Sequence, residues 1–279
     1  RQMARWIELQ QEINKLRERE NEILQHITQK ILGESVVCTT TSTAGSELLK
    51  EEKFDVVIID EATQATEPSC LIPLIKAPQV ILAGDHKQLP PTILSPKAQA
   101  LSLSLFERLI KLYPQASSML QIQYRMNEQI KEFPSQKFYA GKLISAEEVK
   151  NIVLSDLLSQ KGRTPFTNDI PVVFVDTEGK LMEEQKAGSP SKFNPKEAEL
   201  VKAICEELIQ AGLSSHHIGI ITPYRDHEDY LKRILPDLEI KTVDGFQGRE
   251  KEVIIISLVR SNPNQKIGFL EDLRRLNVA

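Results

Sequence analysis

Apolar and polar positions follow each other along the chain in blocks that predict an α/β fold. Short runs rich in Val and Ile are typical of strands buried in parallel sheets. The runs lie at residues 56–59, 79–83, 218–222, 239–243 and 252–258, with shorter ones at 35–38, 119–122 and 171–176. Segments with a helical spacing of apolar residues lie between them, at residues 101–112, 195–211 and 224–235. Strands that alternate with helices indicate a mainly parallel sheet in each half of the chain.

The first 32 residues predict one long amphipathic helix. Its apolar positions share one face: Leu9, Ile13, Leu16, Ile23, Ile27 and Ile31. Acidic and basic residues balance on the other faces, which favours a solvated, coiled-coil-like arm. Gly33 ends the helix as a C-cap. Further along, the turn-rich residues 113–118 mark the preferred boundary between two domains, and the polar residues 178–194 predict a surface loop.

A pair of carboxylates follows the apolar run at residues 56–59. Asp60 and Glu61 therefore lie at the carboxyl end of a strand, where open α/β sheets place their ligands. Two acids at this position are suited to hold a magnesium ion and to orient a water molecule against a phosphate. Strands that end in Asp are also common without any such role, so the pair needs support from the rest of the chain.

The next strand supplies that support, because it ends in a polar run. Gln88 leaves the sheet close to the end that carries Asp60, and its amide both donates and accepts, so it can respond to a γ-phosphate. Pro90 and Pro91 stiffen this loop, because the proline ring fixes φ. An ordinary proline-terminated turn is the alternative, but it does not explain the Asp-His-Lys-Gln sequence that begins at Asp85.

Two further segments carry side chains suited to a nucleotide. Tyr124 and Arg125 follow a strand, and an arginine that reaches phosphate from a neighbouring domain stabilises the charge of the transition state. A structural ion pair is the more common role of an arginine, and Tyr124 is suited either to stacking on a base or to filling the core. Residues 242–250 lie between two strands and combine two glycines with polar and charged side chains, which allows close approach to a ligand.

A loop rich in hydroxyl groups covers residues 39–46. Such hydroxyls are suited to donate hydrogen bonds to the backbone phosphates of a nucleic acid. They are equally suited to cap the next helix, and the sequence favours neither role over the other.

Composition narrows the class of protein. The 279 residues are 41% hydrophobic and 27% charged, which is typical of a globular protein with room for two domains. The net charge of −4 excludes a basic nucleic-acid coat, so any nucleic-acid site is a local groove. Three scattered cysteines form no zinc motif and indicate reduced thiols. With neither a membrane-length apolar run nor a signal peptide, we expect the protein in the cytoplasm, or in the cytoplasm and nucleus of a eukaryote. We also expect it to be a monomer.

Seven short segments stand out when these features are put together. They are Val-Cys-Thr-Thr at 37–40, Asp-Glu-Ala-Thr-Gln at 60–64, and the residues at 84–91, 123–126, 222–224, 243–252 and 274–279. In this order they resemble the superfamily 1 helicases, in the 5′-to-3′ branch that includes the nonsense-mediated-decay and immunoglobulin-mu-binding-protein helicases. Each segment alone is only weakly specific, but a chance match of all seven in the order of the family is improbable. The resemblance covers nearly the whole chain from about residue 35.

The resemblance implies an α/β fold with two RecA-like domains of the P-loop NTPase type. ATP would bind between them, with a single strand of DNA or RNA across the top. Residues 35–116 would form the C-terminal part of the first domain, and residues 117–279 the second. Residues 1–34 would belong to a stalk that the subgroup inserts in its first domain.

The resemblance also implies roles for individual residues, with ATP and Mg²⁺ as cofactors. Asp60 would hold magnesium through water, Glu61 would orient the attacking water, and Gln88 would sense the γ-phosphate. Tyr124 would pack against adenine, and Arg125 would be the arginine finger. Glu250 would lie near the ribose or γ-phosphate, and Gly248 would give the backbone access to the nucleotide. Four would lie on the nucleic-acid side, namely Thr40, Pro223, Tyr224 and Thr242.

The chain also departs from the family's pattern. It contains no Gly-x-x-x-x-Gly-Lys-Ser/Thr loop, which the family places before this chain's first residue, and the last segment stops at Ala279 before the family's next arginines. We therefore expect a piece of a longer helicase that hydrolyses ATP poorly by itself, because the phosphates lose their lysine and their cradle of backbone donors. The alternative is a helicase-like platform that binds nucleic acid or a partner protein without turnover.

Overall fold

The computed structural model describes residues 2–33, 36–158, 169–177 and 182–279. Its helices in these ranges are α1 (Gln2–Leu32), α2 (Glu67–Leu74), α3 (Leu105–Leu112), α4 (Glu128–Phe138), α5 (Leu154–Leu157), α6 (Pro195–Gln210), α7 (Arg225–Ile234), α8 (Val243–Phe246) and α9 (Leu273–Val278). Its strands are β1 (Val56–Ile59), β2 (Gln79–Leu82), β3 (Ile122–Gln123), β4 (Ile144–Ser145), β5 (Ile218–Thr222), β6 (Glu239–Thr242) and β7 (Val253–Ile256). None of these helices combines the length and apolar character that crossing a membrane requires.

The chain divides into two compact units. The first unit contains residues 1–84 and 91–108, and the second contains residues 85–90 and 109–279. The short segment 85–90 therefore belongs to the second unit, although it follows β2 of the first unit in the chain. The division within α3 lies a little before the boundary predicted at residues 116 and 117, and the domain limits of the sequence analysis stay a prediction.

The first unit contains α1 and one two-stranded parallel sheet. The helix predicted over residues 1–32 is present as α1, and apolar side chains such as Trp6 and Leu16 are exposed on it. In the sheet, Val56 pairs with Gln79 and Ile59 with Leu82. The prediction that β1 is buried on both faces is wrong, because Ile58 is 67% exposed while Ile59 is buried. Among the described residues β1 and β2 pair only with each other, so part of each strand stays open to solvent.

The second unit has a three-stranded parallel sheet with the order β6-β5-β7. Central strand β5 is buried at every position, as its unbroken apolar run predicts. Ile220 faces Ile240 on one side and Ile255 on the other. Helices α6 and α7 cover the sheet with Val201, Leu208 and Leu231, which form the main apolar core with it. A second parallel pair, β3 and β4, carries the Tyr124–Arg125 segment at its end.

A buried polar network joins α6, α7 and the end of β7. The Nδ1 atom of His227 accepts the backbone N–H of Asn194 at 3.2 Å, and Nε2 lies 2.8 Å from the Ser257 hydroxyl. Because Nδ1 accepts, Nε2 carries the proton and donates to Ser257. The Ser257 hydroxyl in turn donates to Glu197 at 2.5 Å. The histidine therefore does not act as a base toward this serine, and the network has a structural role.

The three cysteines are free thiols, as the sequence predicts. Cys70 and Cys205 are buried, and burial raises the pKa of the Cys205 thiol to about 12. Both therefore behave as small apolar side chains.

Two predicted strands do not form. Residues 36–40 and 172–177 have no strand pairing, and Phe174 is 79% exposed; Ser35 lies outside the described residues. Their apolar runs resemble strands, but no neighbouring strand supplies hydrogen bonds to them within the described ranges. The helix predicted from residue 101 begins at Leu105, because residues 96–102 form a 3-10 helix. The predicted loop at 178–194 is described only from residue 182, where Glu184 and Phe193 form one antiparallel bridge.

Candidate functional site

The acidic pair follows β1 in the first unit, in an uncommon backbone conformation. Glu61 has φ of 50°, which a residue with a side chain adopts only at an energetic cost of roughly 1–3 kcal/mol. The backbone N–H of Glu61 donates to Asp60 Oδ1 at 2.9 Å, and the Gln64 amide donates to Glu61 Oε2 at 2.8 Å. The Ala62 N–H donates to Ala83 O at 2.8 Å and fastens this turn to the chain beyond β2. Both carboxylates are exposed and remain accessible to a ligand.

These donors fit a magnesium ion that also binds phosphate. The described ranges contain no group of three or more His, Cys, Asp or Glu side chains that would hold a metal ion alone. Magnesium usually takes only one or two protein carboxylates and completes its shell with water and phosphate oxygens. Asp60 and Glu61 supply such a pair of oxygen ligands.

Gln88 is half-buried in the second unit, and both ends of its amide have partners. Its Nε2 donates to Asp85 Oδ2 at 3.1 Å. Its Oε1 lies 3.4 Å from Nε2 of Gln247, just beyond α8. The fold thus brings together the Gln88 loop and the 242–250 segment, which the sequence analysis assigned to the nucleotide separately.

Arg125 also meets the 242–250 segment. Its Nε donates to Glu250 Oε2 at 2.8 Å. The turn that carries Arg125 is held by Gln123, whose side-chain oxygen accepts the N–H groups of Arg125 at 2.9 Å and Met126 at 2.7 Å. Two proposed nucleotide ligands, Arg125 and Glu250, therefore lie side by side on the second unit.

The remaining proposed nucleotide residues are open to solvent. Tyr124 is 68% exposed, so it does not fill the core as one interpretation of the sequence had it. Gly248 has φ of 77°, a conformation that favours glycine, and a Cβ added there would meet no atom within 4 Å. The backbone at Gly248 is thus free to approach a ligand.

The residues assigned to the nucleic-acid side have structural partners of their own. The Thr40 hydroxyl accepts the N–H of Thr43 at 3.1 Å and so stabilises the turn before a 3-10 helix, but the N-cap of that helix is Ser42. Thr242 caps α8 by accepting the N–H of Gly245. Pro223 is buried, and Tyr224 is only 9% exposed, with its hydroxyl accepting a hydrogen bond from Arg260 at 3.0 Å.

Comparison with known proteins assigns the chain to a family. Two protein-family models, each described as an AAA domain, match residues 1–96 and 101–279. The chain belongs to the superfamily 1 helicases of this AAA-domain family, in the nonsense-mediated-decay and immunoglobulin-mu-binding-protein group. The resemblance seen in the sequence is thereby confirmed. The helices and parallel strands of both units fit the α/β RecA-like fold, while the stalk and the extent of each domain stay predictions.

Three relatives illustrate the relationship. An uncharacterized ATP-dependent helicase of Methanocaldococcus jannaschii is 48% identical over 286 residues, which cover 99% of this chain and 42% of the relative. DNA-binding protein SMUBP-2 of Mesocricetus auratus is 44% identical over 91% of this chain and 27% of its own length. A regulator of nonsense transcripts 1 homolog of Neurospora crassa is 41% identical over 94% of this chain and 24% of its own length. The chain thus spans less than half the length of each of these relatives.

Sequence reasoning missed three residues around the site. Gln123 belongs to the helicase-like segment 123–126, and its place directly before Tyr124 was the signal that could have marked it as part of the site. Asn277 likewise stands in the last recognised segment, and it contacts the Gln88 loop. Tyr139, the residue after α4, carried no sequence signal, because only the tertiary fold brings it to Asp85.

Proposed function

We propose that the protein carrying this chain is an ATP-dependent helicase or translocase that moves along single-stranded nucleic acid. The observation that carries this proposal is the exposed acidic pair after β1, in which Glu61 is held at a positive φ. A strained, solvent-open carboxylate at the carboxyl end of a parallel strand is the expected setting for a residue that acts on phosphate. The family of the chain and its similarity to an ATP-dependent helicase of Methanocaldococcus jannaschii support the same activity.

In this proposal the acidic pair serves hydrolysis. Asp60 helps to hold Mg²⁺ through water, and Glu61 orients the attacking water and accepts its proton. Magnesium bound with ATP would supply positive charge to the β- and γ-phosphates.

The second unit contributes the other groups. Arg125 supplies positive charge to the transferred phosphoryl group, and Gln88 responds to the presence of the γ-phosphate. Tyr124 packs against adenine, since its exposed ring is available. Glu250 and the backbone at Gly248 serve the ribose or the γ-phosphate.

The strand would be bound through its phosphate backbone and would advance as ATP is hydrolysed. Thr40, Pro223, Tyr224 and Thr242 are the proposed contacts. The buried position of Tyr224 means that it acts by holding its loop or after a local movement. DNA and RNA are both candidates, the functional form is a monomer, and the free cysteines suit the cytoplasm or nucleus.

The test is an ATPase assay of the full-length protein with single-stranded RNA and single-stranded DNA side by side. We expect one of them to stimulate hydrolysis, and Glu61→Gln to lower kcat by at least about a hundredfold, the contribution of a positioned base. Glu51→Gln, another exposed glutamate of the first unit, is the matched control and should keep full activity. Strand binding without ATP turnover would contradict the helicase proposal and favour the non-catalytic platform. A Glu61→Gln variant with full ATPase activity would show that Glu61 is not the catalytic base.

A further inference from the structure

The loop that carries Gln88 is held by residues from distant parts of the second unit. The Tyr139 hydroxyl, at the end of α4, lies 2.5 Å from Asp85 Oδ2. The same oxygen of Asp85 accepts the Gln88 amide at 3.1 Å, and Asp85 Oδ1 accepts the backbone N–H of Lys87 at 2.9 Å. One carboxylate therefore fixes both the turn of the loop and the direction of the Gln88 side chain.

Asn277 of α9 completes the arrangement. Its Nδ2 donates to the Tyr139 hydroxyl at 2.7 Å and to the backbone oxygen of Lys87 at 3.0 Å. Because both amide hydrogens of Asn277 have acceptors, the tyrosine hydroxyl receives one hydrogen bond and gives its own proton to Asp85. Burial and the nearby Asp85 carboxylate raise the pKa of the Tyr139 phenol well above its usual value, so it remains a donor.

A phenylalanine in place of Tyr139 would keep the packing contact that the tyrosine ring makes. The ring lies edge-on to Phe138, with centroids 6.4 Å apart, and this contact depends on the ring alone. Within the described residues the hydroxyl interacts with Asp85, with Asn277 and with the side chain of Gln88 itself. Its specific effect therefore falls on the Gln88 loop.

We propose that Tyr139 is a positioning residue that sets the orientation of Gln88 through Asp85, and that Asn277 holds Tyr139 in this role. The proposal rests on the proposed function, because the orientation of Gln88 matters only where a γ-phosphate is sensed. It gives the residue that follows α4 and one residue of α9 a part in γ-phosphate sensing by Gln88. When the three hydrogen bonds on Asp85 are intact, the Gln88 amide is kept in one orientation.

The experiment measures kcat and KM for ATP in the full-length protein, with and without single-stranded nucleic acid. Tyr139→Phe should lower the strand-stimulated kcat about tenfold, the usual effect of losing one hydrogen bond to a charged group. The KM for ATP and the midpoint of thermal unfolding should stay near those of the unchanged protein. Asn277→Ala should act in the same direction. Tyr113→Phe, an exposed tyrosine of the same unit, is the control and should have no effect.

A double-variant cycle separates positioning from a merely structural role. If Tyr139 acts through Gln88, adding Tyr139→Phe to Gln88→Ala lowers kcat no further. Independent, multiplying effects would overturn the inference, as would a Tyr139→Phe variant with unchanged stimulation. If the unchanged protein itself shows no strand-stimulated hydrolysis, the proposed function fails first, and the two failures are thereby distinguished.

Discussion

Arg125 and Glu250 form an ion pair on the second unit, with Nε of the guanidinium 2.8 Å from Oε2 of the carboxylate. The residues are 125 positions apart, and each comes from a segment assigned to the nucleotide. More than half of each side chain is exposed, so solvent screens the pair and its contribution to stability is about 0–1 kcal/mol. An arginine held this weakly can be released to a phosphate at little energetic cost.

The first prediction follows from this weak pairing. Arg125→Ala should leave the fold intact and lower ATP turnover by about a thousandfold or more, as the loss of an arginine finger does. Most of the affinity for single strands should remain, because the assigned strand contacts lie elsewhere in the chain. Steady-state ATPase rates and fluorescence anisotropy with a labelled strand measure the two effects. Arg17→Ala on α1 is the matched control, and an equal loss of turnover and strand binding would identify Arg125 as a structural residue.

Gln123 carries the second prediction, because both ends of its side-chain amide hold the turn that carries Arg125. Its Nε2 donates to Met126 O and to Ser145 Oγ, each at 2.7 Å, while its oxygen accepts two backbone N–H groups. Gln123→Ala should lower the free energy of unfolding by about 1–3 kcal/mol through unsatisfied polar groups. It should also lower kcat, because Arg125 loses its fixed position.

Urea unfolding and ATPase rates of the full-length protein check both effects. Gln123→Glu keeps the acceptor oxygen and loses the amide donor, so its kcat should lie between those of the unchanged protein and Gln123→Ala. The exposed neighbour Gln121 supplies the control as Gln121→Ala. A destabilised Gln123→Ala protein with normal kcat would show that Arg125 does not depend on this turn.

Local patterns in the sequence predicted those helices and strands whose structure depends mainly on the residues within them. The unbroken apolar run of β5 gave a strand buried at every position. Pro195 predicted the start of α6. The structure adds the N-cap, since the Asn194 side chain accepts the N–H of Glu197 at 3.1 Å. The polar residues after strand ends were chosen as site candidates from the sequence, because open α/β sheets bind ligands at the carboxyl ends of their strands. Their roles stay predictions.

These local patterns do not reveal which residues meet when they are far apart in the sequence. The exposure of Ile58 depends on which strands flank β1, and its β-branched character does not reveal that. The run at 171–176 has the composition of a strand but lacks a partner in the described residues. The contact of Tyr139 with Asp85 joins residues 54 positions apart, and no spacing rule predicts it.

The third prediction concerns pH and His227. Burial lowers the pKa of this histidine to about 4, against 6.5 for the free side chain. The unfolded chain therefore binds a proton more readily than the folded one, and stability falls as pH drops from about 6.5 toward 4, by up to about 3 kcal/mol. Above pH 6.5 the histidine is neutral in both states and has no such effect. The free energy of unfolding, measured with urea at pH 7 and at pH 5, should differ less between the two pH values for His227→Asn than for the unchanged protein. The control is His216→Asn, which changes an exposed histidine and should behave as the unchanged protein does.

The last prediction separates charge from hydroxyl contacts in strand binding. Because phosphate contacts release counterions, the affinity for a single strand should fall linearly on a log–log plot against salt concentration, by about 0.7 per phosphate neutralised. Thr40→Val removes a neutral hydroxyl, so it should weaken binding about fivefold at every salt concentration, the effect of one hydrogen bond, and leave the slope unchanged.

The exposed Thr92→Val in the same unit is its control. Thr40 also accepts the N–H of Thr43, so a thermal melt accompanies each titration. A Thr40→Val protein that is less stable but binds the strand normally would assign the hydroxyl to its turn alone, because a hydrogen bond within a turn affects folding whereas a phosphate contact affects affinity.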